Sequence, residues 1–402
     1  MACSNEEPVT TMTTTGGSMR PIAIGDAYTA QPTRSSAAYS VEQGIDAGQS
    51  IGVYAYYHDN STWAADEAYN AANPEAPKRL IPNFMWNQQA TCQEKGGNFT
   101  YSPLKYWPNE TEDKLSFMAY FPYTDTGAAD PESPESSEKT GLTPLMANSD
   151  AGLPTFRFTV KETADNQVDF LLSELLPNLP NGTNGVSPSN AADRSTLTVT
   201  DRVRFLFHHM TSKVEFRIVA ATEVRDDIAH FRLNSLSVSN LYKNGKLTPA
   251  YNTSTGETSY AWSEQTAKHG TAPAYTFPLK TMTGYLMMPQ TLSDDVELSI
   301  SYDVTFKSDG TTYHYYGSRD GETDPALIGT LVADEDYTYS NDATIQLNTM
   351  KRTGTDTPLT EWEPNHHYVY YIRIGANAIE FTGQVVDWGA TVEIDNIEIE
   401  EK

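Results

Sequence analysis

Apolar and polar residues alternate with period two along much of this chain, most clearly at its middle, DRVRFLFHHMTSKVEFRIVA, residues 201–220. Val203, Phe205 and Phe207 alternate with Arg204, Leu206 and His208, and Val214, Phe216 and Ile218 alternate with Glu215 and Arg217 after a slip of phase. Period-two patterning in β-branched and aromatic residues predicts half-buried strand. The slip at His208–Lys213 predicts a bend or bulge that lets both runs bury an apolar face. The stretch is therefore expected to form one bent strand or two tightly joined strands, opening a second all-β domain.

The same pattern recurs on both sides. Upstream it predicts strands at Ile51–Tyr57, Phe84–Trp86, Phe99–Tyr101, Phe156–Val160 and Leu115–Tyr123, the last a nearly continuous apolar run suited to an inner face. Val168–Leu176 fits either strand or a short helix, since periodicity does not separate them at that length. The polar stretch up to Arg79 is expected to be a surface insertion, and the Pro, Ser and Glu-rich stretch Asp125–Asp150, with little apolar content, is assigned no regular structure. Pro177–Asp193 is dense in turn formers and is the expected linker. Downstream, strands are expected at Phe231–Leu241, Gly284–Pro289, Val296–Phe306, Thr311–Tyr316, Tyr368–Ile374 and Ile379–Val386, with a hairpin turn at Lys243-Asn244-Gly245-Lys246. Short strands between Gly, Pro, Asn and Asp turns argue for β-sandwiches. The expected division is a tether over 1–18, an N-terminal sandwich over 19–185 and a C-terminal sandwich over 195–402.

Composition narrows the function classes. The chain has 402 residues, enough for two domains, and 27 Lys and Arg against 53 Asp and Glu give a net charge of −26, which repels nucleic acid and anionic lipid. Two cysteines, Cys3 and Cys92, do not make a disulfide framework. Ala2-Cys3 ahead of a polar, Thr-rich tether has the form of a bacterial lipoprotein after its signal-peptidase cut, so lipid is expected on Cys3; the plainer reading is a free thiol.

The chain carries no G-x-S-x-G, H-E-x-x-H, Walker A or G-x-G-x-x-G motif, and no cofactor is expected. His208-His209 and His366-His367 are adjacent pairs, whose side chains face opposite sides of a strand and do not converge on one metal. The acidic segments at Asp320–Asp324 and Asp334–Asp336 lack the spacing of a Ca²⁺ loop. A Ser, His and Asp triad is spatial, so sequence alone leaves it open, though with no elbow motif the chain is expected not to be an enzyme. Trp63, Trp86, Trp107, Trp262, Trp362 and Trp388 suit core packing, with glycan stacking as the alternative use.

Taken in order, Thr33-Arg34 ahead of IGVYAY at 51–56, YSPLKYWP at 101–108, LSFMAYFP at 115–122, DFL at 169–171, FHHMTSKV at 207–214, LMMPQT at 286–291 and WEPN at 362–365 ahead of YVYYI resemble the fimbrillin family of type V pilins from Gram-negative anaerobes. The resemblance implies two tandem transthyretin-like β-sandwiches, export as a lipoprotein to the outer membrane, cleavage by an arginine-specific protease, and self-polymerisation with other pilin subunits by strand exchange. On that basis cleavage is expected between Arg34 and Ser35, because the other nearby basic residue, Arg20, precedes Pro21. The strand around Ile22 and Ile24 is expected to be removable. The tail carrying Val392, Ile394, Ile397 and Ile399 is expected to be the donor strand, or else an ordinary edge of the second sandwich. The alternative function is a surface lipoprotein binding glycans through exposed aromatics.

Overall fold

The computed structural model describes residues 20–29, 44–161 apart from 96, 128, 129 and 131, 166–180, 202–220, 229–266, 275–276, 285–306, 337–351, 356–374 and 379–386. Cys3, Arg34, Ser35, the expected strand at 311–316, both acidic segments, Trp388 and the tail residues Val392, Ile394, Ile397 and Ile399 lie outside them.

The N-terminal strands are β1 (Ala23–Thr29), β2 (Ser50–His58), β3 (Met85–Cys92), β4 (Asn98–Thr100), β5 (Lys114–Phe121), β6 (Leu142–Pro144), β7 (Phe156–Thr159), β8 (Leu171–Ser173), β9 (Leu176–Leu179) and β10 (Arg202–His209). Helix α1 (Trp63–Ala72) follows β2, and the single turn α2 (Ser137–Thr140) precedes β6. Strands β11 (Ser212–Ala220), β12 (Ala229–Val238), β13 (Asn244–Asn252), β14 (Glu257–Ser263), β15 (Tyr275–Thr276), β16 (Tyr285–Met287), β17 (Gln290–Thr291) and β18 (Glu297–Phe306) follow. The last described strands are β19 (Tyr337–Gln346), β20 (Glu361–Trp362), β21 (His367–Ile374) and β22 (Ile379–Val386).

Seven of these close into a ring. β2 pairs β3, β3 pairs β4, β4 pairs β1, β1 pairs β10, β10 pairs β8, β8 pairs β5, and β5 returns to β2. One core cluster, with Ile22, Ile24, Ile51, Val53, Phe99, Phe117, Phe205 and Phe207, groups the inward residues of these strands. The opposite faces of β2 and β5 carry Tyr54, Tyr56, Met118 and Tyr120 in a second cluster with Phe156, Phe158 and Leu247, beneath the sheet β6-β7-β13-β14. Burial on both faces explains why IGVYAYY and LSFMAYF read as almost unbroken apolar runs. A third cluster, with Val214, Leu298, Trp362 and Tyr370, joins the four-stranded sheets β16-β11-β21-β22 and β15-β12-β18-β19.

The architecture is all-β, built of packed sheets. The central stretch does form two strands meeting at a tight bend, but they part company: β10 pairs β1 and β8 in the ring, whereas β11 pairs β16 and β21. Arg202–His209 thus belongs to the ring, and Ser212–Ala220 to a different sheet. The slip of phase at Met210–Thr211 marks a change of sheet, because two strands that bury their apolar sides in different cores need not share one face.

Two further expectations change, and the surface insertion before Arg79 proves to hold a helix. Asn244-Gly245 is not a hairpin turn but the start of β13, with Gly245 opposite Phe158 of β7. A Cβ on Gly245 would lie 3.0 Å from Trp262 Cε3 and 3.1 Å from Met288 Cε, so the glycine serves close packing. The hairpin closes instead through Asn252–Glu257, where Gly256 has φ +77°. The polar stretch before Arg79 contains α1, capped by the Thr62 side chain accepting from Ala65 N–H and burying Trp63 and Asp66. Finally, the Asp125–Asp150 excursion folds back through α2 and β6, burying Leu142.

Candidate functional site

Strand β1 is the distinctive part of the ring. It runs parallel to β10 and antiparallel to β4, while the ring's other five pairings are all antiparallel. Ile22 and Ile24, only 1% exposed, project into the ring core. The segment before β1 is held on a further side: Ile22 N–H donates to the Lys105 carbonyl at 2.9 Å, Trp107 N–H donates to the Arg20 carbonyl at 2.9 Å, and the Tyr101 hydroxyl donates to the Ile22 carbonyl at 2.7 Å. Burial pushes that phenol up to about 12, keeping it a donor. Residues 20–29 therefore lie in a slot whose walls are β10, β4 and the 101–107 segment.

Gly25 allows the closest approach within the slot. Its Cβ would come within 2.7 Å of Arg202 Cδ, at a point where the β1–β10 register shifts between Ile24 and Ala27. Cys92 lies two strands away in the same layer, since Ile24 pairs Phe99 and Phe99 pairs Cys92. Its thiol lies 3.3 and 3.0 Å from the Ile45 and Glu94 carbonyls, and burial pushes its pKa up, which keeps it a protonated, sheltered thiol.

The paired histidines serve packing. His208 bonds Glu174 at 2.8 Å and its neighbour His209 bonds Asp169 at 2.7 Å, so adjacent rings use different carboxylates. His367 bonds Glu215 at 3.1 Å, and Glu215 also accepts from Arg217 at 2.6 Å. Among the described residues no group of His, Cys, Asp and Glu has the arrangement of a metal site.

A linear array that sequence alone did not reveal joins Asp66, His58 and Ser116. His58 Nδ1 lies 2.7 Å from Asp66 Oδ2 and His58 Nε2 lies 2.7 Å from Ser116 Oγ. The order is that of a hydrolase triad, yet Ser116 is wholly buried and its oxygen accepts from Asn178 N–H at 2.9 Å. Sealed in this way, it has no room for a substrate carbonyl. The array instead ties α1 to β2, β5 and β9. Desolvation lowers the His58 pKa against the pull of Asp66, and Asp66 is held below the carboxylate range although burial opposes this, because His58, Ser61 and Arg79 all donate to it.

Residues 33–388 match the fimbrillin-like family. The chain belongs to that family. Its β architecture is similar to that of a fimbrial protein from Bacteroides vulgatus, with a TM-score of 0.54 at 16% identity over 92% of this chain and 99% of that one. A fimbrilin from Porphyromonas gingivalis aligns over 93% of this chain and 99% of its own at 11% identity and a TM-score of 0.38. No curated protein matches the chain. The fimbrillin-like segment starts after β1, one residue ahead of Arg34.

Proposed function

We propose that this chain is a structural subunit of a cell-surface fimbria in which β1 is a resident strand, released by proteolysis between Arg34 and Ser35 and replaced by a strand of a neighbouring subunit. Membership of the fimbrillin-like family supports the fimbrial role. The observation that carries the strand exchange is the position of β1, a parallel strand closing an otherwise antiparallel ring, with Ile24 within it and Ile22 just ahead of it both buried. Once it leaves, β4 and β10 present unpaired edges beside an open apolar core, a state that proteins avoid unless another strand fills it. In this reading the donor is the tail with Val392, Ile394, Ile397 and Ile399, the partners are further pilin subunits and an arginine-specific protease, and lipid on Cys3 holds the precursor at the outer membrane.

The test is to treat the full chain with an arginine-specific protease and determine the new N-terminal residue and the size of the product. Ser35 at the N-terminus, loss of residues 20–29 and growth of polymers are expected, with Arg34→Ala remaining uncut and monomeric. Polymers of the same kind from Arg34→Ala would overturn the assignment.

A further inference from the structure

A second feature of the ring points outward. Between Val53↔Gln88 and Ala55↔Met85, β2 contributes one residue and β3 contributes two, Trp86 and Asn87, so β3 bulges there. Asn87 takes the left-handed conformation at φ +45°, which Asn tolerates better than most residues. Bulges re-aim side chains, and this one turns Trp86 to the surface, 40% exposed, where the other described tryptophans are buried or half-buried.

The bulge is tied down on both sides. Trp86 Nε1 donates to the Met146 carbonyl at 3.0 Å, fixing the edge of the indole. Asn87 donates from Nδ2 to the Thr124 carbonyl at 3.1 Å and accepts from the Tyr120 hydroxyl at 2.6 Å. Beyond the bulge, β3 and β4 pair only at Thr91↔Thr100 and Cys92↔Phe99, and the chain at Tyr101 and Ser102 continues alongside β3 without ladder pairing to it. The result is a cleft of about 550 Å³ lined by Trp86, Gln88, Gln89, Tyr101, Ser102 and Tyr123 among others. That volume falls within the range of roughly 300–1,000 Å³ typical of small-ligand sites.

We infer that this cleft binds a neutral oligosaccharide, with the Trp86 indole as its stacking platform and the amides of Gln88 and Gln89 as its hydroxyl-reading groups. Three observations select that ligand. The lining has no Lys, Arg, Asp or Glu, so neither an anion nor a cation finds a charged partner there. Glu135, which accepts from Gln89 Nε2 at 2.5 Å, stands behind the cleft in a chain of net charge −26 and disfavours acidic sugars. The amides are also pre-positioned. Gln88 Nε2 donates to the Ser102 and Gln89 carbonyls, both at 3.1 Å, and Gln89 Nε2 donates to Ser50 Oγ at 3.1 Å, so each carbonyl oxygen is left to accept. Among the described residues no donor is bonded to Gln88 Oε1 or Gln89 Oε1, which suits a ligand rich in hydroxyl donors. A rigid aromatic face beside fixed, half-used amides matches the alternating apolar faces and hydroxyl edges of a pyranose.

The test is isothermal titration calorimetry of the full chain with mannohexaose, maltohexaose and N-acetylchitohexaose, and with a hyaluronan hexasaccharide as the anionic probe. Saturable binding of at least one neutral probe with a Kd below about 10 mM is expected, and none of the anionic one. Trp86→Ala is expected to weaken that binding about tenfold or more, Gln88→Ala severalfold, and Trp86→Phe less than Trp86→Ala because a ring remains. Tyr57→Ala, an exposed aromatic elsewhere on β2, should bind as the parent does. Thermal unfolding of each variant separates lost folding from lost binding, and Gln88→Ala carries the test should Trp86→Ala unfold. Absence of binding by every neutral probe, binding indifferent to both Trp86→Phe and Gln88→Ala, or preference for hyaluronan would overturn the inference.

Discussion

Single residues in this protein are placed by what must be kept from water. His58 is a case in point: it is 1% exposed, bonded at both ring nitrogens, and desolvation lowers its pKa below the ordinary 6.5. A histidine whose folded pKa is depressed is neutral in both states above about 6.5, so its contribution is complete there. As pH falls below 6.5 the unfolded chain takes up a proton that the folded one resists, and stability declines by at most ~1.4 kcal/mol per pH unit for that one site. Asp66 acts in the same direction at lower pH, since its lowered pKa makes the folded state lose stability as pH falls below 3.8. Urea unfolding between pH 8 and 5 should therefore show a slope in the acid half that His58→Gln flattens; an unchanged slope would assign it to other groups. In a Cys3→Ser background the Cys92 thiol should react with a disulfide reagent at least about tenfold faster after β1 is released, because sealed groups react only through opening. Equal rates before and after cleavage would mean that β1 stays in its slot.

At the scale of elements, strand faces decided the pairing where turn chemistry did not. Asn244-Gly245 has the letters of a hairpin turn, yet β13 begins there and pairs with β7, since Trp262 and Met288 need a bare backbone to pack on. Gly52 is placed on the same principle. It sits opposite Tyr120 in the β2–β5 ladder, and a Cβ there would lie 2.1 Å from the Tyr120 ring, whose own position is fixed by complete burial and a bond to Asn87. Gly52→Ala should cost roughly 1–3 kcal/mol by overpacking, seen as a lower urea midpoint at unchanged m-value. A midpoint equal to the parent's would show that the tyrosine can move aside.

For the whole molecule, the decisive question is what holds β1. Two fully buried isoleucines contribute about 3–6 kcal/mol, and the ladder bonds add roughly 0.5–1.5 kcal/mol each, offset by the entropy of ordering the segment. In the proposed exchange, a strand offering comparable burial and ladder bonds would replace it once the tether is cut. If the tail is that competitor, deleting residues 392–402 should leave a chain that is cut and folded but fails to polymerise in size-exclusion chromatography; fibres from the truncated protein would move the donor elsewhere. The alternation of apolar residues was sufficient by itself to locate most strands, β22 at Ile379–Val386 to the residue, because period two is imposed locally by the pleat. Family membership was equally legible, from short motifs spread in order along the chain. Strand partnership was not, since β10 and β11 carry the same kind of pattern and only the cores on offer send one into the ring and the other to β21. Nor was the Asp66, His58 and Ser116 array, or the cleft beside Trp86, because both join residues whose nearness exists only after β2, β3 and β5 are laid side by side. Local sterics write the strands into the sequence; burial of shared surface, a property of the assembled fold, chooses their neighbours.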